Sequence, residues 1–448
     1  ALGDYKSAYK VFKVSLIGLF IAGVLTSGFV FFNAKSVVDS LKNPNAYYSL
    51  IALVPALFFV PIMAAFRGYF QGRQNMVPTA LSQISEQLFR VILGLIITYL
   101  LLGYGIPIAA GGASFGGSIG AIAGTIAVYA IFLSKKKTIN EEIRTSISKK
   151  EYSVNMIVKD LLTIGSAIGP IMDTIDASMV LNRLQTINYS ELEANELYGQ
   201  LKGYAQTLIN FPQVFSISIA MSLVPAISNA KARSQKKEIE TLISSGIRMT
   251  LLIGLPCAFG LFVLARPIIQ LLYFNNTPET ITSVGEILQY LSFGVIFLTL
   301  VQALTSMLQG LGKPLIPVVN LFIGAIAKVG LTYVLTVIPS VNVKGAAIST
   351  VAAYAIASTL DIISLGILTR VRFKYLDTFI KPLISSIGMA IVVKISFIGL
   401  YNILGSSLAT LVSVMIGVAV YVILLIITGT ITEEDMILIP KGEKVGKY

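Results

Sequence analysis

The hydrophobic pattern along the chain consists of long apolar stretches that are separated by short polar segments. A helix needs about 20 apolar residues to cross the roughly 30 Å of hydrocarbon in a bilayer. Twelve stretches meet this requirement, with approximate limits 14–32, 47–66, 82–102, 112–133, 160–181, 204–225, 246–265, 284–307, 314–338, 344–368, 379–402 and 406–429. The pattern predicts an all-α polytopic membrane protein.

Composition supports this interpretation and excludes several other classes of protein. The chain is 55% hydrophobic and 12% charged, whereas an ordinary soluble domain has about 25% charged residues. It has no histidine and one cysteine, Cys257, which excludes an intrachain disulfide, histidine-based catalysis and metal sites built from cysteine or histidine. The sequence contains no acidic metal-binding loop or catalytic pair of the kind a membrane-embedded glycosyltransferase or phosphatase needs. We therefore do not expect an enzyme.

The basic residues lie mainly on one side of the predicted helices. If the N-terminus is cytoplasmic, 25 of the 34 Lys and Arg residues fall in cytoplasmic segments and six in external ones, while Arg90, Lys328 and Lys394 lie within helices. By the positive-inside rule, both termini are then cytoplasmic. The net charge of +12 is therefore a topology signal, and its expected partners are anionic membrane lipids rather than nucleic acid.

Two segments of the chain resemble each other at a spacing of 238 residues. RGYFQGRQNMVPTALSQISEQLFRV (67–91) and LQGLGKPLIPVVNLFIGAIAKV (308–329) each leave one apolar helix, make a polar turn and enter the next. The matched positions are Gln71 with Gln309, Gly72 with Gly310, Arg90 with Lys328, and Val91 with Val329. Such a long-period match indicates a parallel repeat, in which predicted helices 1–4 correspond to helices 7–10.

Four segments carry a resemblance to a known family. They are the 67–91 segment, LINFPQVFSISIAMSLVPAIS (208–228), GLFVLARPIIQLLY (260–273) and LQGLGKPLIPVVN (308–320). With the helix count, they resemble the MurJ and stage V sporulation protein B branch of the MOP flippase superfamily. The resemblance implies a V-shaped pair of six-helix lobes around a cavity of alternating access, with two extra C-terminal helices. It also implies a cargo that is an undecaprenyl-diphosphate-linked sugar, most directly lipid II of the peptidoglycan pathway.

The repeat also predicts the domain organisation. Predicted helices 5 and 6 have no partner in the first half, so their counterparts would lie before residue 1. We therefore expect an N-lobe of four instead of six helices at 1–133, which lacks its first two helices. A basic cytoplasmic linker at 134–159, a six-helix C-lobe at 160–370, and a helix pair with a cytoplasmic tail at 371–448 follow. We expect a monomer in the cell membrane.

Ionisable side chains within the apolar helices are the main candidates for binding the cargo. Glu86 and Arg90 are four residues apart on one helical face, in the first third of predicted helix 3. Two interpretations stay open: a structural ion pair, or an Arg90 that binds the diphosphate, to which its planar guanidinium is suited, while Glu86 orients it. Lys328, the counterpart of Arg90, has Gly324 four residues earlier instead of an acid. It must therefore find a partner, face water or lose its proton.

Four further residues are weaker candidates for cargo binding. Arg67 and Arg73 border the cytoplasmic mouth, and Gln206 and Asn210 lie along predicted helix 6. The alternatives are a topology role for the arginines and interhelical hydrogen bonds for the amides.

A coupling-ion site is a further expectation. Asp173 and Asp176 are three residues apart on predicted helix 5, and carboxylates suit a hard cation such as Na⁺. Some members of the family that this chain resembles have a sodium site, which is formed by an acid on this helix and polar residues on the equivalents of helices 9 and 10. The matching residues are Asn320 and Thr350, but Gly324 stands near a position where an acid is expected. Proton-coupled and purely structural carboxylates are the alternatives.

Two other functions stay open from the sequence. A drug or cation antiporter of the related multidrug-extrusion branch would need an anionic cavity, and the basic residues argue against it. A non-transporting scaffold for cell-wall enzymes is the second alternative. For a flippase, the inside-negative potential favours outward movement of an anion by about 2.3 kcal/mol per charge per 100 mV. Entry of Na⁺ or H⁺ in exchange would add to this driving force.

Overall fold

The computed structural model describes residues 5–40, 44–73, 75, 77–145, 168–371 and 376–430. All regular secondary structure in these residues is helical, which confirms the predicted fold class. The chain divides into two compact units, an N-terminal unit of residues 1–164 and a C-terminal unit of residues 165–448. The finer division into lobes, linker and C-terminal pair stays a prediction.

The N-terminal unit contains four long helices and a short one. These are α1 (Tyr5–Ser40), α2 (Tyr47–Gly72), α3 (Val77–Leu101), α4 (Ile106–Ser134) and α5 (Lys136–Thr145). α4 lies at the centre because it packs against both α2 and α3, while α1 packs against α2. At one end of the unit, Phe12, Phe66, Tyr69 and Phe132 pack ring against ring. The same core buries Ile139, which attaches the amphipathic α5 to the bundle.

The C-terminal unit contains the remaining helices. These are α6 (Ile168–Gln185), α7 (Glu191–Gly199), a π-helical turn (Gln200–Ala205), α8 (Gln206–Asn210), α9 (Gln213–Ala232), α10 (Lys236–Val263), α11 (Ala265–Leu272), α12 (Pro278–Leu291), α13 (Gly294–Gly310), α14 (Leu315–Leu335), α15 (Lys344–Thr369), a second π-helical turn (Leu376–Ile380) and α16 (Lys381–Ile427). α13 is central and packs against α9, α10 and α15, whereas α14 packs against α15 and α6.

Most of the predicted membrane spans are present as helices. Within the described ranges, nine helices are long and apolar enough to cross a membrane, or ten if α12 and α13, which are bent by 45°, form one span. α16 includes both of the last two predicted spans, and they meet at a kink at Gly405, whose φ of 71° is readily adopted only by glycine. The first part of predicted helix 5 lies outside the described residues. The cytoplasmic location of the termini stays a prediction.

Predicted helix 6, at 204–225, is not a continuous helix, so this expectation was wrong. α8 ends at Asn210 and α9 begins at Gln213, and Phe211 and Pro212 lie between them. Proline has no N–H group for the helical ladder, and its ring clashes with the preceding turn. α9 continues to Ala232, so the apolar span lies further along the chain than the hydrophobic pattern predicted.

The sequence repeat corresponds to a repeated packing scheme. In the N-terminal unit the neighbouring pairs are α1 with α2, α2 with α4, and α3 with α4; in the C-terminal unit they are α10 with α13, α13 with α15, and α14 with α15. The matched Gly72 and Gly310 are the last residues of α2 and α13. Each unit therefore contains one copy of the same four-helix arrangement, as the repeat predicted.

Glycines allow close helix contacts in each copy. A Cβ atom at Gly120 of α4 would lie 2.6 Å from the Glu86 carbonyl oxygen and 3.0 Å from Arg90 Cβ. A Cβ atom at Gly324 of α14 would lie 2.5 Å from the Ala353 carbonyl oxygen on α15. These distances explain why an acid is not found at position 324: any side chain there would push α14 away from α15.

We expect Gly120→Ala to destabilise the protein by about 1–3 kcal/mol, because the added methyl group overpacks the α3–α4 interface. Gly28→Ala on α1 is the matched control, since a Cβ atom there meets nothing within 4 Å and alanine favours a helix. Thermal unfolding of the purified protein in detergent measures both. Equal midpoints for the two variants would contradict this account of the interface.

Candidate functional site

In the N-terminal unit, α2, α3 and α4 bring together four polar residues that we call the Glu86 cluster: Arg67, Ser82, Glu86 and Arg90. Arg67 Nη2 lies 3.0 Å from Glu86 Oε2, and Arg90 Nη2 lies 2.6 Å from Glu86 Oε1. Arg67 also donates to Ser82 Oγ from Nε (3.0 Å) and Nη2 (2.8 Å). Ser82 Oγ in turn donates to the Gly124 carbonyl oxygen of α4 at 2.8 Å. The cluster thus links all three helices.

The members of the Glu86 cluster differ in burial. Glu86 is buried, and the Arg67 side chain is only 17% exposed, but the Arg90 side chain is 44% exposed. Two guanidinium groups share one carboxylate, so the ionised cluster has a formal charge of +1. Arg67 is the structural partner of Glu86, and Arg90 is the more accessible arginine. The interpretation as a structural ion pair therefore suits Arg67, and the interpretation as a diphosphate contact suits Arg90.

Arg90 lies deeper in its helix than the sequence pattern indicated. The expectation that Glu86 and Arg90 occupy the first third of the span assumed a helix that begins at 82. α3 begins at Val77, so Arg90 is the fourteenth of its 25 residues. Its depth in the bilayer stays a prediction, because α3 begins before the apolar run.

Arg73 lies outside the Glu86 cluster. Its Nη2 forms an ion pair with Glu142 of α5, and its Nη1 donates to Tyr69 Oη at 3.2 Å. The guanidinium carbon also lies 5.3 Å from the centre of the Tyr5 ring. These contacts connect α5 to α1 and α2. A role of Arg73 in cargo binding stays a prediction.

In the C-terminal unit, three charged residues form what we call the Asp176 cluster: Asp176, Lys202 and Lys328. Lys328 Nζ lies 3.1 Å from Asp176 Oδ2, and Lys202 Nζ lies 3.2 Å from the same oxygen. Asp176 is 4% and Lys328 8% exposed. The two lysine contacts with Asp176 Oδ2 do not have the geometry of hydrogen bonds. The lysines and the carboxylate therefore attract each other as ion pairs. Lys328 has therefore found a partner, which was one of the three outcomes expected for it.

Lys202 reaches this cluster because of the irregular segment that follows α6. α7 begins with a capping box, in which Ser190 N donates to Glu193 Oε2 (2.8 Å) and Glu193 N donates to Ser190 Oγ (3.2 Å). The hydrogen bonds from the Ser190 backbone and hydroxyl hold the pKa of Glu193 below its usual value. After α7, the π-helical turn carries Lys202 to Asp176.

The remaining candidate residues have other partners. Asn320 Nδ2 donates to Asp361 Oδ1 at 2.8 Å, and Thr350 Oγ1 donates to the Ala346 carbonyl oxygen of its own helix at 2.8 Å. Gln206 and Asn210 bond to each other: Gln206 Nε2 donates to Asn210 Oδ1 at 3.2 Å. Asp173 lies on α6, but its side chain is outside the described part of the structure.

The predicted sodium site therefore stays a prediction, and one observation opposes it. Asp176 is already neutralised by two ammonium groups, whose positive charge disfavours a further cation at the same carboxylate. Asn320 contacts a different acid, Asp361. Among the residues that the structure describes, no three His, Cys, Asp or Glu side chains are grouped closely enough to hold a metal ion.

The sequence reasoning missed Lys202 and Asp361. Lys202 was counted among the external topology charges, and its distance from Asp176 in sequence gave no signal of contact. Asp361 was overlooked, although an acid eighteen residues into a 26-residue apolar helix is itself a signal of function.

Comparison with known proteins finds related membrane proteins whose matches cover most of the chain. The sequence profile of a family described as lipid II flippase MurJ matches residues 6–374. Stage V sporulation protein B of Bacillus subtilis (strain 168) is 29% identical over 455 residues, which cover 98% of this chain and 84% of that protein. Lipid II flippase MurJ of the same organism is 27% identical over 384 residues, which cover 80% of this chain and 68% of that protein.

Solved structures share the fold at lower sequence identity. A lipid II flippase MurJ in an inward closed conformation superposes with a TM-score of 0.63 and 17% identity, covering 93% of this chain and 82% of that one. The eukaryotic MATE transporter AtDTX14 gives a TM-score of 0.63 and 15% identity, covering 85% of this chain and 82% of that one. At such identities, the likeness demonstrates a common fold and nothing more specific.

Proposed function

The chain belongs to the lipid II flippase MurJ family, and on this basis we propose that it moves an undecaprenyl-diphosphate-linked sugar, most directly lipid II, across the cell membrane by alternating access. The family consists of multi-pass membrane transporters and not of enzymes. A lipid-linked substrate is therefore implied by membership. The identity of the sugar and the residues that contact the diphosphate are the parts that we propose.

The surplus of positive charge on the repeated helix is the observation that carries this proposal. Arg90 on α3 and Lys328 on α14 occupy matched positions, and each belongs to a cluster with two basic groups and one carboxylate. The Glu86 cluster therefore has a formal charge of +1 when its members are ionised, and the repeat places a second basic residue, Lys328, at the position that matches Arg90. A drug-cation antiporter would need the opposite sign, whereas a diphosphate is attracted by such surplus charge.

Arg90 is the residue that we propose contacts the diphosphate. One Nη group is 2.6 Å from Glu86, and 44% of the side chain is exposed, so further guanidinium donors remain for phosphate oxygens. Arginine binds phosphate through paired, charge-assisted hydrogen bonds. Glu86 fixes the guanidinium at the middle of α3 without neutralising the whole cluster. Arg67, held by Glu86 and Ser82, supports the geometry from α2.

We propose lipid II as the cargo because MurJ of Bacillus subtilis is among the relatives, yet the match to stage V sporulation protein B covers more of the chain. A different lipid-linked glycan is therefore the outcome to be tested. Depleting the protein in its host and measuring lipid II in each leaflet decides between them. Accumulation in the inner leaflet supports lipid II, whereas normal exposure on the outer leaflet contradicts it.

We expect Arg90→Ala to reduce the rate of lipid II flipping in reconstituted vesicles by about 10-fold or more, because a hydrogen bond to a charged group is worth about 1.5–3 kcal/mol. Arg90→Lys retains the charge without the planar fork and should be intermediate. Arg144→Ala is the control, since Arg144 is an exposed arginine in the last turn of α5. A wild-type rate in Arg90→Ala would exclude Arg90 as the diphosphate contact.

A further inference from the structure

Asp361 is a buried acid on α15 that takes no part in either basic cluster. The residue is 1% exposed. Its Oδ1 accepts a hydrogen bond from Asn320 Nδ2 of α14 at 2.8 Å, and Asn320 Nδ2 also lies 3.3 Å from Ser364 Oγ, one turn further along α15. Its Oδ2 is buried and has no hydrogen-bond partner among the residues that the structure describes. The carboxyl group thus has one neutral donor and one unsatisfied oxygen.

No opposite charge lies next to Asp361 in the described part of the chain. α15 packs against α10, α12, α13 and α14. The charged and titratable residues on these helices and on α15 itself, apart from Asp361, are Lys236, Lys237, Glu238, Glu240, Arg248, Cys257, Glu279, Glu286, Tyr290, Lys328, Tyr333, Lys344 and Tyr354. None of them forms an ion pair with Asp361 within 4.0 Å, and α13 carries no such residue.

The basic residues on these helices are engaged elsewhere. Lys328 lies two helical turns beyond Asn320 and pairs with Asp176. Lys344, at the start of α15, pairs with Glu286 of α12. On α10, Arg248 Nη2 lies 3.5 Å from Ser245 Oγ. Asp361 therefore differs from Glu86 and Asp176, each of which has two cationic partners.

An ionised carboxylate in this position would be costly. Removing a carboxylate from water carries a large free-energy cost even after relaxation, and an amide donor offsets only part of that cost. Binding a proton removes the charge. A hard cation is a poorer solution, because it takes about six oxygen ligands, whereas the polar side chains in contact here are those of Asp361, Asn320 and Ser364.

We propose that Asp361, with Asn320 and Ser364, is a proton-binding site of the C-terminal unit. Asp361 lies eight residues before the end of α15 at Thr369, and Asn320 lies five residues after the start of α14 at Leu315. The site is thus about 8–12 Å inside the end of the unit at which these two helices meet. A proton can exchange there when the helix ends separate. The coupling of this proton to transport rests on the function proposed above.

Infrared spectroscopy of the purified protein in lipid tests the site without any cargo. A titration between about pH 5 and pH 9 spans the range in which a buried carboxyl group differs from an exposed one. We expect a protonated-carboxyl C=O absorption near neutral pH in the wild type, which disappears at alkaline pH and is absent in Asp361→Asn. Asp377→Asn is the matched control, because Asp377 forms an ion pair with Lys381 at 2.6 Å and so, unlike Asp361, has a cationic partner.

The same experiment defines the results that overturn the proposal. Identical spectra of the wild type and Asp361→Asn at every pH would show that Asp361 holds no proton. Loss of the absorption on addition of sodium chloride at constant pH, but not of choline chloride, would assign the site to sodium instead. Asparagine keeps the size of the side chain and can still bond to Asn320, so Asp361→Asn should fold. Its thermal unfolding verifies this.

Transport provides a second and separate result. In vesicles with an imposed pH gradient, we expect the ratio of lipid II flipping rates with and without the gradient to fall to one in Asp361→Asn. A ratio unchanged from the wild type would overturn the coupling role. If the protein flips no lipid II under any condition while the infrared difference is present, the proton site stands and the cargo assignment fails.

Discussion

Glu86→Gln is expected to destabilise the N-terminal unit by about 2–4 kcal/mol. Removing one partner of a buried ion pair costs about 3–5 kcal/mol because the other charge stays buried and unpaired. Here the cost arises mainly from Arg67, whose side chain is 17% exposed. The contribution of Arg90 is smaller, since its side chain is 44% exposed and a partly exposed charge costs less to leave unpaired. Thermal unfolding in detergent measures the change.

Two matched variants separate the structural effect of Glu86 from its role in cargo binding. Glu142→Gln removes the carboxylate that pairs with Arg73; Glu142 is one-third exposed, and the expected cost is below about 1 kcal/mol. Arg67→Met combined with Glu86→Gln removes the stranded charge and should recover most of the lost stability. If Glu86→Gln unfolds at the wild-type temperature, Glu86 is not the partner that holds Arg67.

Recovery of stability without recovery of flipping in the double variant would assign Glu86 a role in orienting Arg90. Recovery of both would make the Glu86–Arg67 pair purely structural and leave Arg90 to act alone. The two open interpretations of Glu86 and Arg90 are thus distinguished by one pair of measurements on the same proteins.

Asp176→Asn is the second substitution for which a large effect is expected, with a loss of about 3–5 kcal/mol in the C-terminal unit. It leaves the ammonium groups of Lys328 and Lys202 near a neutral amide, and the Lys328 side chain is only 10% exposed. Lys328→Met in the same chain removes the more buried of the two charges. We expect the double variant to be more stable than Asp176→Asn, with an interaction energy of about 1–3 kcal/mol.

The combination of Lys202→Met with Asp176→Asn is the internal comparison. It should recover less of the lost stability than Lys328→Met does, because the Lys202 side chain is 25% exposed. Glu286→Gln removes the half-exposed partner of Lys344 and should cost below about 1 kcal/mol. Additive effects of Asp176→Asn and Lys328→Met would mean that the two side chains do not interact. In that case Lys328 would have to be stabilised by another group.

The clusters also explain why the sequence indicated the Glu86–Arg90 contact but not the Asp176–Lys328 contact. The Glu86–Arg90 pair is local, since side chains four residues apart on a helix are neighbours whatever the rest of the fold does. Asp176 and Lys328 are 152 residues apart, and Lys202 lies on a third element. Their meeting depends on the packing of α6 against α14 and on the turn after α7, which no periodic pattern encodes.

Secondary-structure prediction had the same limits. Hydrophobic length predicted the spans because a bilayer demands about 20 apolar residues from any crossing helix. The break at Pro212 and the bend between α12 and α13 went unpredicted because the apolar pattern continues across both. The start of α3 at Val77 was placed too late because it precedes the apolar run.

The sequence by itself determined the membrane class, the helical repeat and the family, because apolar length, composition and ordered motifs are properties of the chain alone. Only the tertiary structure decided which cation each buried acid meets. It assigned Arg67 and Arg90 to Glu86, assigned Lys202 and Lys328 to Asp176, and left Asp361 with a neutral partner. Pairing of buried charges depends on distances of about 3–4 Å between different helices, and those distances are set by packing.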